Sequence, residues 1–385
     1  MKKFISLLLC AVMLISCVIM PAHAENTTKL KFGDDGKFRI LHFADFQDIF
    51  YMMNATKDFI HASIEKAQPD LIVLGGDNIT GGAGIIKPLT RMSIDQFMSI
   101  FEEYGIPVAA VFGNHDSEGA ATKEDMMKMY ESYDCFIGCA GEDLTGCGNY
   151  NLPIYASDSD KVAFNLWLID SLTYNESDKK DNYCENDLEG YACVHKDQID
   201  WYVKTSNELK AANGGKPVPS LVFQHIVVPE IYDALVKTET GYTLPESATG
   251  VLGEDPCPPN YSNGQFDAMV NQGDVLAMFF GHDHTNTYVV EHKGVDLVNT
   301  PGAGFHSYGD ETRGARIIDL DENDLWNYET ELIFWREIFD VENNALANYR
   351  FIYSASEYSP AEQIKAFFLY IFEAALLPLK NLKKY

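Results

Sequence analysis

The sequence has few basic residues for its length. Only 29 lysines and arginines stand against 57 aspartates and glutamates among 385 residues, which gives a formal net charge of −28. A protein with so negative a field repels the phosphate backbone of nucleic acids. The composition therefore argues against nucleic-acid binding and against a nuclease that acts on long polymers.

The sequence also lacks internal repeats and low-complexity linkers, which favours one large domain. No Ser-His-Asp or Cys-His arrangement for a side-chain nucleophile is evident.

Long apolar runs are rare as well. Lys2 and Lys3 precede an apolar run over residues 4–20, and residues 22–24 (Ala-His-Ala) fit the rule for signal cleavage. The run is short for a membrane-spanning helix of about 20 residues. We predict a secretory signal over residues 1–24, a mature protein that is secreted or at the cell surface, and a bacterial source. A lipoprotein anchored through Cys17 and an uncleaved anchor are the alternatives.

A second apolar segment lies in the C-terminal tail. Residues 367–372 (Phe-Phe-Leu-Tyr-Ile-Phe) are followed by Glu373 and end before several lysines. This segment is too short and too interrupted to span a bilayer. We predict a C-terminal extension over residues 321–385 that ends in an apolar helix docked on the domain. Peripheral membrane contact through that helix is the alternative.

Cysteine usage bears on the compartment. Eight cysteines are present, of which Cys10 and Cys17 would leave with the signal. The remaining six are Cys135, Cys139, Cys147, Cys184, Cys193 and Cys257. An even count in an exported chain predicts disulfide bonds, with partly free thiols as the second interpretation. A zinc knuckle built from the first three lacks a nearby fourth ligand.

Apolar runs of strand type alternate with helical patterns, which predicts a layered α/β fold. The candidate strands are 38–43, 71–74, 108–112, 162–169, 221–223 and 275–280. The candidate helices are 58–67, 93–104, 123–133, 196–211 and 265–272. Beyond residue 284, period-two stretches separated by glycines predict antiparallel strands that complete a second sheet.

Five short blocks carry chemistry, and each follows the end of a predicted strand. They are Asp45-Phe-Gln-Asp48, Gly75-Gly-Asp77-Asn78, Gly113-Asn114-His115-Asp116, an isolated His225, and Gly281-His282-Asp283-His284. Ligand sites in open α/β sheets lie outside the carboxyl ends of strands, so these side chains should converge. Their carboxylates, amide and imidazoles suit two adjacent divalent metals, the clamp used to hydrolyse phosphate esters.

In this order, the blocks resemble those of the calcineurin-like metallophosphoesterase superfamily, and within it the secreted, purple-acid-phosphatase-like branch. The resemblance covers about residues 36–320. It implies a two-sheet αββα sandwich with mixed sheets over this range. It also implies two divalent metal ions (manganese, iron or zinc) and hydrolysis of a phosphate ester by a metal-bound hydroxide.

The resemblance further implies a role for each candidate residue. The metal ligands would be Asp45 and His284 on the first metal, Asp77 as the bridge, and Asn114, His225 and His282 on the second metal. His115 would contact the phosphate and help charge leave with the alcohol. Asp116 is the candidate to orient His115, with a carboxylate that stabilises a turn or caps a helix as the alternative.

The chain departs from the family at two positions. Gln47 stands where most members have the histidine of an Asp-x-His block, and its amide oxygen is a poorer ligand for zinc or iron. The first site would therefore be weaker, favour manganese, or take Asp48 instead. Thr80 stands where purple acid phosphatases have a tyrosine, so we expect no charge-transfer colour.

Together these features predict an exported, bimetal phosphatase that hydrolyses monoesters of small phosphorylated molecules. The first alternative is a phosphodiesterase acting on nucleotides or lipid head groups. The second, motivated by Gln47, is a catalytically weak metal-binding surface protein.

Overall fold

Two β-sheets packed face to face, with helices on both outer faces, form the fold. A computed structural model describes residues 28–175 and 190–339, together with Ala361, Ile364 and Phe368. The predicted signal, Cys184 and the rest of residues 340–385 lie outside the described residues.

The strands and helices follow one another in the alternation that the sequence predicts. In chain order the strands are β1 (Leu30–Lys31), β2 (Lys37–Phe43), β3 (Leu71–Gly75), β4 (Val108–Val111), β5 (Tyr150–Tyr155), β6 (Val162–Leu168), β7 (Ser220–Phe223), β8 (Val236–Lys237), β9 (Tyr242–Thr243), β10 (Val275–Phe280), β11 (Val289–His292), β12 (Val295–Asn299), β13 (Gly314–Asp321) and β14 (Tyr328–Phe334). The helices are α1 (Asn54–Ala67), α2 (Lys87–Tyr104), α3 (Lys123–Tyr130), α4 (Lys196–Ala212), α5 (Ile231–Ala234), α6 (Gln265–Gln272) and α7 (Trp335–Ile338), with a 3-10 turn over Gly81–Gly84. Within the described part of the chain, no helix has the length and apolar character needed to cross a membrane.

Both main sheets are mixed. The five-stranded sheet has the order β14-β13-β2-β3-β4, in which β2, β3 and β4 are parallel and β13 and β14 are antiparallel to their neighbours. The seven-stranded sheet has the order β1-β5-β6-β7-β10-β12-β11, with β6, β7, β10 and β12 parallel. The predicted two-sheet sandwich with mixed sheets is therefore confirmed.

Three apolar layers hold the sandwich together. Between the sheets, Ile40 and Val73 belong to the same buried cluster as Phe223 and Phe279. The outer face of the five-stranded sheet packs on α1 and α2, and the outer face of the seven-stranded sheet packs on α4 and α6, where Trp167 contacts Trp201 edge to face. Because β3 and β4 are covered on both faces, their sequences are almost continuously apolar.

Some predicted boundaries are wrong. The strands beyond residue 284 do not complete one sheet, because β11 and β12 extend the seven-stranded sheet while β13 and β14 complete the other. Strand β14 pairs with β13 along its full length, so the domain continues past the predicted end at residue 320. Helix α2 begins six residues before its predicted start, since Pro88 in the first turn is compatible with a helix N-terminus.

The cysteines pair less than the sequence predicts. Cys135, Cys139, Cys147 and Cys257 are free thiols, so the disulfide prediction is wrong for these four. An even count does not require pairing, and Cys135 and Cys147 instead fill buried positions in the apolar core. Cys193 is disulfide-bonded.

Candidate metal centre

Six of the seven predicted metal ligands, all except Gln47, come from the two sheets in equal numbers. Asp45, Asp77 and Asn114 follow β2, β3 and β4 of the five-stranded sheet. His225, His282 and His284 follow β7 and β10 of the seven-stranded sheet, and all six side chains are buried. The carboxyl ends of both sets of parallel strands therefore meet at one edge of the sandwich, where ligand sites in α/β sheets lie.

The backbone is strained where these ligands leave their strands. Asp45 (φ 55°), Gln47 (φ 39°), Asp77 (φ 49°) and His282 (φ 72°) all adopt the left-handed conformation. Such residues cost of order 1–3 kcal/mol each and cluster at functional sites. Close approach also explains Gly113, at which an added Cβ would lie 2.1 Å from Asp77 Oδ1. The short blocks thus fix the direction of the ligand side chains through the backbone.

The carboxylates and imidazoles converge on a common centre. His225 Nε2 lies 3.1 Å from Asp77 Oδ2 and 3.8 Å from Asp45 Oδ1. His284 Nε2 lies 3.3 Å from Asp45 Oδ1. Potential ligand atoms of Asp77, His225 and His282 all lie within 4.8 Å of one another. These contacts form a buried Asp/His cluster that can hold a metal ion.

Backbone carbonyls orient two of the histidines. His225 Nδ1 lies 2.9 Å from the Gly75 carbonyl oxygen, and His284 Nδ1 lies 2.9 Å from the Tyr308 carbonyl oxygen. A carbonyl only accepts hydrogen bonds, so Nδ1 carries the proton in each ring. In the neutral imidazole the lone pair of Nε2 then points towards the centre, the arrangement that supports metal-ligating histidines elsewhere.

Three buried atoms of the predicted ligands, Asp45 Oδ1, Asn114 Oδ1 and His225 Nε2, make no hydrogen bond of regular geometry. Asp45 Oδ1 and His225 Nε2 face carboxylate and imidazole groups at 3.1–3.8 Å, whereas Asn114 Oδ1 has no partner. Leaving such a group unsatisfied costs about 1–3 kcal/mol, and buried polar groups are normally paired. A carboxylate, an amide oxygen and an imidazole are common ligands of divalent metals, so the residues present fit a metal ion.

Gln47 reaches the same centre. Its Nε2 donates to Asp77 Oδ2 (3.0 Å) and lies 3.3 Å from His284 Nε2. In this orientation the amide nitrogen, which cannot bind a metal, faces the ligands. Rotating the amide by half a turn would present its oxygen instead. Coordination by Gln47 therefore stays a prediction.

Asp48, the proposed substitute for Gln47, serves another purpose. Its carboxylate accepts hydrogen bonds from the Met53 backbone N–H and from Thr56 Oγ1 (3.0 Å) at the start of α1. A carboxylate at this position satisfies helix donors that have no partner within the helix. Asp48 therefore stabilises the helix, and the structure does not direct it to the metal ligands.

His115 lies beside the centre, and its partner differs from the predicted one. His115 Nδ1 is 2.8 Å from Glu118 Oε2. Asp116 instead accepts the backbone N–H groups of Gly113 (2.8 Å) and Ile79 (3.1 Å). The prediction that Asp116 orients His115 is therefore wrong, because the carboxylate joins the backbones of two ligand loops. Burial and the nearby Asp77 raise the pKa of Asp116 to about 7.

Buried charges at the centre are strongly coupled. Burial alone would lower the pKa of His225, but the combined effect of the Asp77 and Asp45 carboxylates outweighs burial and raises this pKa to about 10. Burial would raise the pKa of Asp77, but His225 and neighbouring imidazoles hold it well below its usual range. Burial and the charge of His225 lower the pKa of His282 to about 3. Without metal, the centre thus holds a His225 imidazolium between two carboxylates.

Tyrosines line the approach to the ligands. Tyr308 stacks on His284 with ring centroids 4.0 Å apart. Tyr174 stacks on Tyr191 at 5.1 Å, and Tyr191 meets His282 edge to face at 4.7 Å. No sequence motif marks Tyr174 or Tyr191, which an isolated antiparallel bridge brings to the site.

Comparisons with known proteins agree with this arrangement. A family model described as calcineurin-like phosphoesterase matches residues 38–286, a range that includes every block from Asp45 to His284. Probable inactive purple acid phosphatase 14 of Arabidopsis thaliana is 28% identical, over 92% of this chain and 94% of that protein. Probable inactive purple acid phosphatase 29 of the same plant is 30% identical, over 83% and 87%. Phosphatase DCR2 of Saccharomyces cerevisiae is 26% identical, over 82% of this chain and 57% of that protein.

Proposed function

Because the chain belongs to the calcineurin-like phosphoesterase family, we propose that it is an exported, metal-dependent hydrolase of phosphate monoesters. The observation that carries the proposal is the buried Asp/His cluster where the two sheets meet, together with Asn114 Oδ1, which is buried without a hydrogen-bond partner. Potential ligand atoms of Asp77, His225 and His282 lie within 4.8 Å of one another. A folded protein keeps such a costly arrangement when a bound ion relieves it.

Six residues would hold two divalent cations. They are Asp45, Asp77, Asn114, His225, His282 and His284. When bound, two such cations activate water and neutralise charge on the phosphoryl oxygens. Asp77 would be the bridge that the resemblance implies; its Oδ1 accepts the His115 backbone N–H, and its Oδ2 faces His225 and Gln47.

His115 is the residue placed to handle the leaving group. Its side chain is about one-third exposed (35%), so a substrate can reach it, and its backbone N–H binds Asp77 at the centre. Glu118 holds Nδ1, which leaves Nε2 free to give a proton to the departing alcohol oxygen. General acid catalysis of this kind contributes roughly 10²–10⁴-fold. Glu118 is thus a positioning residue that keeps the ring in one orientation.

A second candidate function is metal binding with little catalysis. Gln47 favours it, since its amide nitrogen faces Asp77 and His284 where the family has an imidazole ligand. Two relatives whose names describe them as probable inactive phosphatases point the same way. A weak first metal site would lower turnover while leaving the Asp77, His225 and His282 cluster able to bind one ion.

One preparation distinguishes these functions. Residues 25–385 are purified, bound metals are counted by elemental analysis, and p-nitrophenyl phosphate and bis-p-nitrophenyl phosphate are tested with manganese, zinc or iron. About two metals per chain with faster monoester turnover supports the proposal. Faster diester turnover means a phosphodiesterase, and bound metal without turnover means the binding protein. Asp77→Asn should abolish both metal loading and activity, whereas Asp160→Asn, an exposed acid-to-amide control, should change neither.

Export is tested separately. The full chain is expressed in a bacterium, and the N-terminus of the protein outside the cytoplasm is sequenced. A mature protein that begins at Glu25 supports cleavage after Ala24. Retention of residues 1–24 contradicts it.

A further inference from the structure

Tyr174 and Tyr191 form a two-ring wall beside the metal ligands. Their rings stack at 5.1 Å with 25° between the planes. Tyr174 Oη accepts a hydrogen bond from Asn114 Nδ2 at 3.3 Å, and the edge of Tyr191 meets His282 at 4.7 Å. The wall therefore contacts ligands predicted for the second metal at two independent points.

The two rings differ in exposure. Tyr191 is half-buried. Tyr174 is 43% exposed although its hydroxyl and one face are in contact with the protein. An exposed aromatic ring backed by a second ring and fixed through its hydroxyl is a rigid flat surface, which loses little conformational entropy when a ligand covers it.

The position of this surface relates it to the leaving group. Tyr174 contacts Asn114, and the next residue, His115, is the proposed proton donor to the departing alcohol. The alcohol part of a bound phosphate ester must lie within reach of His115. Because Tyr174 is hydrogen-bonded to the predicted ligand Asn114, an aromatic ring on that alcohol can turn towards the exposed face of Tyr174.

We propose that Tyr174, backed by Tyr191, selects phosphate esters whose alcohol carries a flat aromatic ring, which stacks on the exposed face of Tyr174. This inference rests on the proposed function and names its substrate class. Aryl phosphates and nucleoside monophosphates share this chemistry. Stacked aromatic pairs contribute beyond their buried area, enough for a preference of about 2- to 12-fold over an ester with an aliphatic alcohol.

Binding of inert phosphonates tests the proposal without requiring turnover. Zinc-loaded protein is titrated with phenylphosphonate, methylphosphonate and the phosphonate analogue of adenosine 5′-monophosphate. The wild type should bind phenylphosphonate about 2- to 12-fold more tightly than methylphosphonate. Comparing the phenyl ligand with the adenosine ligand shows whether the ring must be next to the phosphorus or one sugar away.

Substitutions of Tyr174 distinguish the effect of its ring, which would stack on the ligand, from the effect of its hydrogen bond to Asn114. Tyr174→Leu removes the ring and the hydroxyl and should reduce the aromatic preference to about 1. Tyr174→Phe keeps the ring and should keep the preference, even where loss of the hydrogen bond to Asn114 weakens both ligands. Trp326→Leu is the matched control, because Trp326 is 49% exposed and lies in the turn between β13 and β14, at the opposite end of the sheet. It should change nothing.

Each outcome bears on a different claim. Equal affinity for the two phosphonates in the wild type, or an unchanged preference in Tyr174→Leu, overturns the stacking proposal alone. If that variant misfolds, the proton spectrum of phenylphosphonate bound to the wild type decides, because stacking shifts the phenyl signals upfield and unshifted signals overturn the proposal. Aromatic preference without turnover of any ester contradicts the proposed function and supports the stacking surface. Failure to bind any phosphonate contradicts both.

Discussion

Protons and metal ions compete for His225, and this competition predicts how metal affinity depends on pH. In the metal-free protein the pKa of His225 is raised from 6.5 to about 10, since the effect of Asp77 and Asp45 outweighs that of burial. The ring is therefore an imidazolium through pH 8. A metal that binds Nε2 must displace that proton.

The expected magnitude follows from the shift. Below pH 10, displacement of one proton raises the apparent association constant tenfold per pH unit. Raising the pH from 6 to 8 should therefore tighten the metal about 100-fold, or about 2.7 kcal/mol. His284, whose pKa is also raised, adds to the release when the first metal binds. The raised pKa of His225 also stabilises the metal-free fold. This contribution is complete below pH 6.5 and is lost as the pH rises through about 10.

Calorimetry in buffers of different ionisation enthalpy measures the released protons directly. We expect at least one proton per pair of metals at pH 7. His61→Gln should leave the pH slope unchanged, because His61 contacts Tyr104 on the helical face of the domain and touches no ligand. His225→Asn should abolish binding to the Asp77, His225 and His282 cluster. Equal affinity at pH 6 and pH 8 with no proton release would refute the placement of the His225 imidazolium.

Three further predictions concern single residues. Glu118→Gln should lower the turnover of alkyl esters more than that of aryl esters, at unchanged metal content. The loss should be smaller than the roughly 10²–10⁴-fold that general acid catalysis by His115 contributes. Loss of metal would show that Glu118 supports the ligands instead. Gln47→His should tighten the first metal about 10–100-fold in a metal titration, and no change would mean that this side chain does not coordinate. Lys123→Met should lower the free energy of unfolding in urea by about 3–5 kcal/mol, because Lys123 Nζ lies 2.7 Å from the fully buried Asp170; a smaller loss would show that water reaches that carboxylate.

The ligands were predictable from sequence because each one directly follows an apolar strand. The strand fixes where the ligand lies, and the glycine beside Asp77 or His282 indicates a close approach. Residues that reach the ligands from distant parts of the chain have no such pattern in the sequence. Tyr174 reaches Asn114 across 60 positions of the chain, and the Tyr308 carbonyl reaches His284 from a separate loop.

Local geometry explains the remaining differences between the sequence predictions and the structure. Asp116 and Glu118 are both acids close to His115, and sequence alone could not tell which one turns towards the imidazole. In the structure the Asp116 carboxylate accepts a backbone N–H group, and the Glu118 carboxylate contacts the His115 imidazole. Strand β14 went unpredicted because its exposed charged residues alternate with half-buried ones, as expected at the edge of a sheet.

The equal division of ligands between the sheets has a mechanical consequence. Asp77 belongs to one half of the sandwich and His225 to the other, so an ion that binds both fastens the halves at their open edge. Because such an ion binds only the folded form, a hundredfold excess over its dissociation constant adds about 2.7 kcal/mol to the free energy of unfolding. A chelator would then loosen the seam between the sheets before either sheet separates from its own helices, and metal supply would set how long the protein survives proteases.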